Sequence, residues 1–291
     1  MKFFLGALGN WFNDYKLIEQ IILEADQLGW DGALLPDHYM WGTSEFIKRP
    51  DSNVTLETWI TLTHLLAKTE QIHLGTLVTP IPFRPPGILA KMISTADILS
   101  NGRVIVGIGA GWSQVEFDGY SEWNTPGVRV AKTREGLELM IQLWTQKEVT
   151  FSGKYYTAKG AILEPKPVQK PYPKLLFGGR GDKMLKLAGQ YADICFVPPF
   201  RPGVQPADRE KQKETVKQAA KKHNRTDKLA FMEGSMGSQV SRLPYDSKEY
   251  TRYVEQAVES GAMYFLASFP RNEQLLDTLK QFSNEVIPSF K

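Results

Sequence analysis

Short apolar runs alternate with amphipathic helical stretches from one end of the chain to the other, and this rhythm restricts the fold more than any other feature. Residues 2–8 (KFFLGAL), 30–36 (WDGALLP), 72–80 (IHLGTLVTP), 103–111 (RVIVGIGAG), 175–179 (LLFGG), 193–199 (DICFVPP), 228–236 (KLAFMEGSM) and 262–270 (AMYFLASFP) have strand length and strand composition. Between them, 14–29, 55–69, 86–102, 128–146, 180–192, 207–224, 248–261 and 272–287 carry apolar residues at helical spacing. Asp14 is an N-cap candidate, Gly29 a stop, Pro86 a first-turn proline, and Asn101-Gly102 a helix end. Strands separated by helices form βαβ units and a parallel sheet. About eight such units in 291 residues fit a closed (β/α)8 TIM barrel, which takes ~250 residues or more. A doubly wound open sheet is the alternative.

No linker or shift in composition divides the chain, so 1–291 reads as one α/β domain. Two stretches break the rhythm. Residues 112–128 and 147–174 read as insertions at the C-terminal face of the strands. The second opens with a predicted hairpin over 147–160, turning at Ser152-Gly153, and continues as a proline-rich loop.

Composition narrows the function. With 42% hydrophobic and 23% charged residues the chain is ordinary globular protein. Lys+Arg (35) and Asp+Glu (32) nearly cancel, leaving +3, which reads as a mixed solvated surface and not as a nucleic-acid binder. The charged helix 207–224 interleaves no aromatics, which argues the same way. The one cysteine, Cys195, lies in an apolar run, so no disulfide forms within the chain and a buried structural thiol is expected. At the N-terminus the short apolar stretch runs at once into Asn10, Asn13 and Asp14, which reads as a first strand and not an export signal. No run approaches a membrane span, so no membrane partner and a cytoplasmic location are expected. His64 falls in an apolar helix, His73 in a strand and His223 at the end of a charged helix. None of the four histidines has metal-ligand spacing to another, so no metal is expected.

A barrel of this kind builds its site at the C-terminal strand ends. Those ends are Pro36-Asp37-His38-Tyr39-Met40-Trp41, Leu77-Val78-Thr79-Pro80, Gly109-Ala110-Gly111-Trp112, Gly178-Gly179-Arg180-Gly181 and Pro198-Pro199-Phe200. GGRGD running into a helix exposes backbone N–H groups at a helix start, with Arg180 as an added fork of donors, and can cradle a phosphate. A plain strand-to-helix turn would also favour glycine. His38 can pass a proton near neutral pH, with Asp37 beside it to fix its tautomer, or it can be a loop histidine bonded to backbone. Trp11, Tyr39, Trp41, Trp112 and Trp123 lie outside the periodic apolar faces and read as walls of a flat-ligand pocket.

Four segments, in this order and spacing, resemble the luciferase-like monooxygenase superfamily: LLPDHYMW, LGTLVTP, ADILSNGRVIVGIGAGW with EF soon after, and EPKPVQKPYPKLLFGGRGDKMLKLAGQYADI. The resemblance implies a TIM-type barrel that binds coenzyme F420 or, alternatively, reduced FMN at its C-terminal mouth. It implies a non-prolyl cis peptide near Leu77–Val78 behind the ring. Asp37, His38, Leu77, Val78, Thr79, Gly109, Ala110, Gly111, Gly178, Gly179, Arg180 and Gly181 then hold the cofactor, with the bare glycine backbone of 75–78 and 107–111 in contact with it. His38 handles a proton as the catalytic residue. Trp11, Tyr39, Trp41 and Trp112 line the substrate pocket, and Trp112 with 112–128 forms part of a lid. Sugar-phosphate dehydrogenases of the family carry Glu where this chain has Ala110, which disfavours that substrate. With F420 the implied reaction is hydride transfer to or from a small organic substrate; with reduced FMN it is oxygenation, fed by a separate reductase. A homodimer is implied, and a non-catalytic barrel is the remaining alternative.

Overall fold

The structure is a computed structural model that describes residues 1–6, 14–40, 54–198, 206–236, 241, 243–270 and 274–291. Trp11, Trp41, Pro199 and Phe200, singled out above, lie outside the described residues.

Eight parallel strands form the barrel: β1 (Lys2–Leu5), β2 (Gly32–Leu35), β3 (His73–Thr76), β4 (Val104–Gly109), β5 (Lys174–Gly178), β6 (Ile194–Phe196), β7 (Ala230–Gly234) and β8 (Tyr264–Ala267). Each pairs with the next, and β8 returns to β1 in the register Lys2↔Tyr264 to Leu5↔Ala267, which closes the cylinder. The open-sheet alternative is thereby set aside. Around the strands lie α1 (Tyr15–Gln27), α2 (Thr58–Lys68), α3 (Pro86–Leu99), α4 (Pro126–Thr145), α5 (Asp182–Tyr191), α6 (Pro206–Lys222), α7 (Ser247–Glu259) and α8 (Leu275–Glu285).

Strand alternation divides the core in two. Phe4, Leu34, Ile105, Leu176, Ile194, Phe196, Met232, Tyr264 and Leu266 point inward and fill the barrel. Their neighbours Phe3, Leu5, Ala33, Leu35, Val104, Val106, Leu175, Phe177, Cys195 and Phe265 belong to the larger cluster between sheet and helices. The period of two along a strand produces both layers from one run. Cys195 is buried on the outward side, and burial pushes its thiol up to about 12, which suits the structural role expected.

The helix signals act as read. Asp14 accepts from the backbone N–H of Lys16 and Leu17, Gly29 takes φ +73° at the end of α1, and Asn101 and Gly102 take φ +53° and +84° after α3. The two insertions differ in origin. Residues 112–125 leave the C-terminal end of β4 and form a short insertion helix, Gln114–Tyr120. The second stretch joins α4 back to the start of β5, so it begins and ends at the opposite rim of the barrel. Its hairpin, Val149–Ser152 with Thr157–Ala161, is fixed against α4 by Glu135, which accepts from the backbone N–H of Lys154 (3.0 Å), Tyr155 (2.6 Å) and Tyr156 (2.7 Å). Only the first insertion therefore arises at the face where the site was expected.

Candidate active site

Asp37 follows β2 and is engaged by the protein through both carboxylate oxygens. Its carboxylate takes a two-pronged contact from Arg84 (Nη1–Oδ2 2.7 Å, Nη2–Oδ1 2.9 Å) and a bond from the Thr79 hydroxyl (2.8 Å), and Thr79 accepts from Trp59 Nε1 (3.0 Å). Asp37 is 1% exposed. Burial opposes the charge on Arg84, but Asp37 outweighs it and holds the guanidinium pKa above the ordinary arginine value. Arg84 also pairs with Glu57. The network ties the end of β2 to Thr79 beyond β3 and to the segment that leads into α3.

His38 therefore has a different partner from the one its sequence neighbour suggested. Its Nδ1 lies 2.7 Å from Oε2 of Glu116, which comes from the insertion helix and has no exposed surface. The other oxygen of Glu116 accepts the backbone N–H of Tyr39 (2.9 Å) and Met40 (3.4 Å). Trp112 meets the His38 ring edge-on, at 5.7 Å and 71°, and is half exposed. Tyr39 packs between Phe83 (5.1 Å) and Tyr120 (4.9 Å), with the Arg84 guanidinium 4.9 Å from its ring centre. Burial raises its phenol pKa. Tyr39 thus belongs to the aromatic seat of the insertion.

That seat continues through Phe117, which touches Phe83 (4.6 Å) and Trp123 (5.5 Å), and through Arg129, stacked 3.9 Å over Trp123. Burial lowers the Arg129 pKa. Trp123 is therefore held on one face by Arg129 and stays half-buried.

The Leu77–Val78 peptide is cis, where the resemblance implied it. Both side chains are half-buried and rest on the apolar filling of the barrel, so they form a floor at the strand ends. The strand-four glycines need a correction of cause. A Cβ on Gly109 would collide with Val78 Cγ2, and one on Gly111, at φ +75°, would lie 2.7 Å from Phe117 Cζ. Gly75 and Gly107 would likewise strike the backbone oxygens of Ile105 and Thr76. These positions are bare because the chain packs against itself there. Ala110, between them, is half-buried.

The end of β5 behaves otherwise. Gly178 faces Val78 and Leu77 at 3.0 and 3.2 Å, but a Cβ on Gly179 would meet only Met184 Cβ at 3.7 Å, and on Gly181 nothing within 4 Å. Gly181 is the N-cap of α5 and supplies no side-chain cap to its first turn. Arg180 lies between the two open glycines. Open backbone at a helix start, above an apolar floor, fits a flat cofactor with an anionic tail.

A recess of about 560 Å³ also lies between α4, α5 and α6, with Arg134, Lys183, Lys186 and Lys222 in its lining. It belongs to the outer helix ring and not to the strand ends. Among the described residues no group of three or more His, Cys, Asp or Glu could hold a metal ion, and no helix is long and apolar enough to cross a membrane.

Sequence reading missed Glu116, Arg84 and Arg129. Glu116-Phe117 is the EF pair quoted for the resemblance, but nothing local shows that its carboxylate reaches the loop after β2.

A closed eightfold barrel with an apolar floor and an open glycine turn at one rim defines a (β/α)8 protein with a candidate site at its strand ends. The family model described as luciferase-like monooxygenase matches residues 5–269, and the chain belongs to that family. The F420-dependent glucose-6-phosphate dehydrogenase of Microbacterium testaceum (strain StLB037) is 29% identical over 194 residues, 66% of this chain and 55% of that protein. The FMNH2-dependent dimethylsulfone monooxygenase of Pseudomonas putida is 31% identical over 140 residues, 47% of this chain and 38% of that protein. The chain spans about half the length of the curated relatives it matches. Among solved structures, an F420-dependent secondary alcohol dehydrogenase in complex with an F420-acetone adduct superimposes with TM-score 0.80 at 20% identity, covering 100% of this chain and 99% of that one. At this identity the superposition shows the fold.

Proposed function

We propose that the chain is an oxidoreductase that uses coenzyme F420 at the C-terminal mouth of the barrel, in hydride transfer to or from a small organic substrate. One observation carries the reading. His38, beyond the end of β2, is gripped at Nδ1 by a buried carboxylate, and β2 pairs with β3, whose end leads into the Leu77–Val78 floor. Relatives with F420 and with FMN both support a flavin-type cofactor. When bound, F420 supplies the ring carbon that gives or accepts hydride.

The chain's own residues bind, orient and exclude water. Leu77 and Val78 would hold the ring. The Gly179 and Gly181 backbone, the first turn of α5 and Arg180 would hold the phosphate. Trp112 meets the His38 ring edge-on and would narrow the approach of water from that side. His38 Nε2 takes or returns the proton that accompanies hydride movement at the substrate. The resemblance puts Glu at the Ala110 position in sugar-phosphate dehydrogenases, so a sugar phosphate is the disfavoured substrate.

Reduced FMN is the second reading, favoured by the FMNH2-dependent relative, and it brings in a separate reductase and oxygen as co-substrate. An anaerobic titration followed by absorbance and fluorescence, with F420 in one series and reduced FMN in the other, tests both. Saturable F420 binding supports the proposal. Binding of reduced FMN alone transfers it to the second reading, and binding of neither leaves a non-catalytic barrel.

A further inference from the structure

Glu116 is the one side chain of the insertion helix spent on a polar contact deep in the protein. It is 0% exposed, and a buried carboxylate is costly unless its oxygens are satisfied. Here both are. Oε1 accepts from Tyr39 and Met40 backbone N–H, and Oε2 faces His38 Nδ1 at 2.7 Å. The nearer candidate, Asp37, is engaged by Arg84 and Thr79. A carboxylate only accepts, and a backbone N–H only donates. With Glu116 ionised, the ring nitrogen that meets Oε2 carries the hydrogen.

We propose that Glu116 is the positioning residue of His38: it fixes the Nδ1–H tautomer, holds the ring in place, and leaves Nε2 as the nitrogen that gains and loses a proton. The same carboxylate pins residues 38–40 through two backbone bonds, so the ring and its loop are set by one group. Because that group sits on Gln114–Tyr120 and not on the barrel, His38 is set only while the insertion helix is docked. Docking is secured by Phe117 in the notch over Gly111, by its contacts with Phe83 and Trp123, and by the bond from Ser121 Oγ to the Pro82 carbonyl (2.9 Å). A catalytic consequence follows only if His38 handles the proton, so the inference rests on that part of the proposed function.

Glu116→Gln tests it with little change of shape. Glutamine brings one oxygen and an NH2. The two backbone donors claim the oxygen, which turns the NH2 toward Nδ1, and Nδ1 must then accept. The proton moves to Nε2. Nitrogen-15 chemical shifts of the His38 ring, assigned by comparison with His38→Gln and recorded on cofactor-free protein at a pH where the ring is neutral, read this directly. Nδ1–H in the wild type and Nε2–H in Glu116→Gln are the expected results. Nε2–H in the wild type overturns the inference whether or not the variant folds, and so does an unchanged tautomer in a folded variant. A loss of neighbour packing alone would not move the proton from one ring nitrogen to the other. Since the ring is read without cofactor, a failure of F420 to bind would remove the proposed function and leave this result standing.

Discussion

Gly179→Ala and Gly181→Ala separate a glycine kept for a ligand from one kept for packing. At Gly181 the backbone is extended, φ −67° and ψ 135°, and a methyl meets nothing within 4 Å. At Gly179 it meets Met184 Cβ at 3.7 Å, ordinary contact. Replacing an N-cap glycine by alanine costs up to ~1 kcal/mol, and stiffening the unfolded chain returns about 0.4–1 kcal/mol. The two nearly cancel, so Tm should move by no more than roughly 2–4 °C. Binding should respond far more. A methyl there stands in the approach to the first amides of α5, and each charge-assisted hydrogen bond lost is worth about 1.5–3 kcal/mol. One lost bond weakens cofactor binding roughly tenfold to a hundredfold.

Gly109→Ala is the contrast. Its methyl has no room beside Val78 Cγ2, and overpacking of that kind costs about 1–3 kcal/mol. Its Tm should fall by roughly 2–10 °C without cofactor present. Thermal melts of cofactor-free protein and fluorescence titrations with F420 and FMN give both quantities. Wild-type affinity in both Gly179→Ala and Gly181→Ala, with melting unchanged, would refute the placement of the anionic tail at this turn.

Asp37→Asn should destabilise the fold by roughly 3–5 kcal/mol, toward the lower end because Glu57 remains on Arg84, while cofactor affinity holds. Urea denaturation with a parallel cofactor titration decides; unchanged stability with lost affinity would return Asp37 to the binding residues. His73 gives a pH dependence. Burial, with Lys174 and Lys2 nearby, lowers its pKa, so the unfolded chain takes up a proton near pH ~6.5 while the folded protein does not. Stability from this group is complete above that pH and is lost as pH falls below it. His73→Gln should flatten the acid side of the curve of unfolding midpoint against pH, and a curve that overlays the wild type would rule His73 out.

The fold was legible because its two periods are local. A strand alternates every residue and a helix every 3.6, so Phe4 against Phe3 and Leu5, or Ile18 with Ile21, Ile22 and Ala25, can be sorted from neighbours alone. Gln114–Tyr120 escaped because seven residues make too few turns to display a period, and two of its residues, Glu116 and Phe117, are buried. The rim of the second insertion was hidden in plain order: a helix following a strand carries the chain back to the strands' starting end, so whatever follows α4 begins there.

The site was legible in position more than in cause. Glycine records the absence of a side chain but not what fills the space. At Gly109 and Gly111 the filler is Val78 and Phe117, brought by the segment after β3 and by the insertion, whereas at Gly179 and Gly181 the space is left open. The partner of His38 shows the same limit. Adjacent residues in extended chain point to opposite sides, so the carboxylate next in sequence is poorly placed to reach the imidazole, and Asp37 indeed turns to Arg84. A carboxylate 78 positions along reaches it instead, carried by an insertion whose own fold depends on the barrel it covers. Groups that act together here are therefore joined by the closure of β3 on β4 and by the seating of Phe117, both of which exist only in three dimensions.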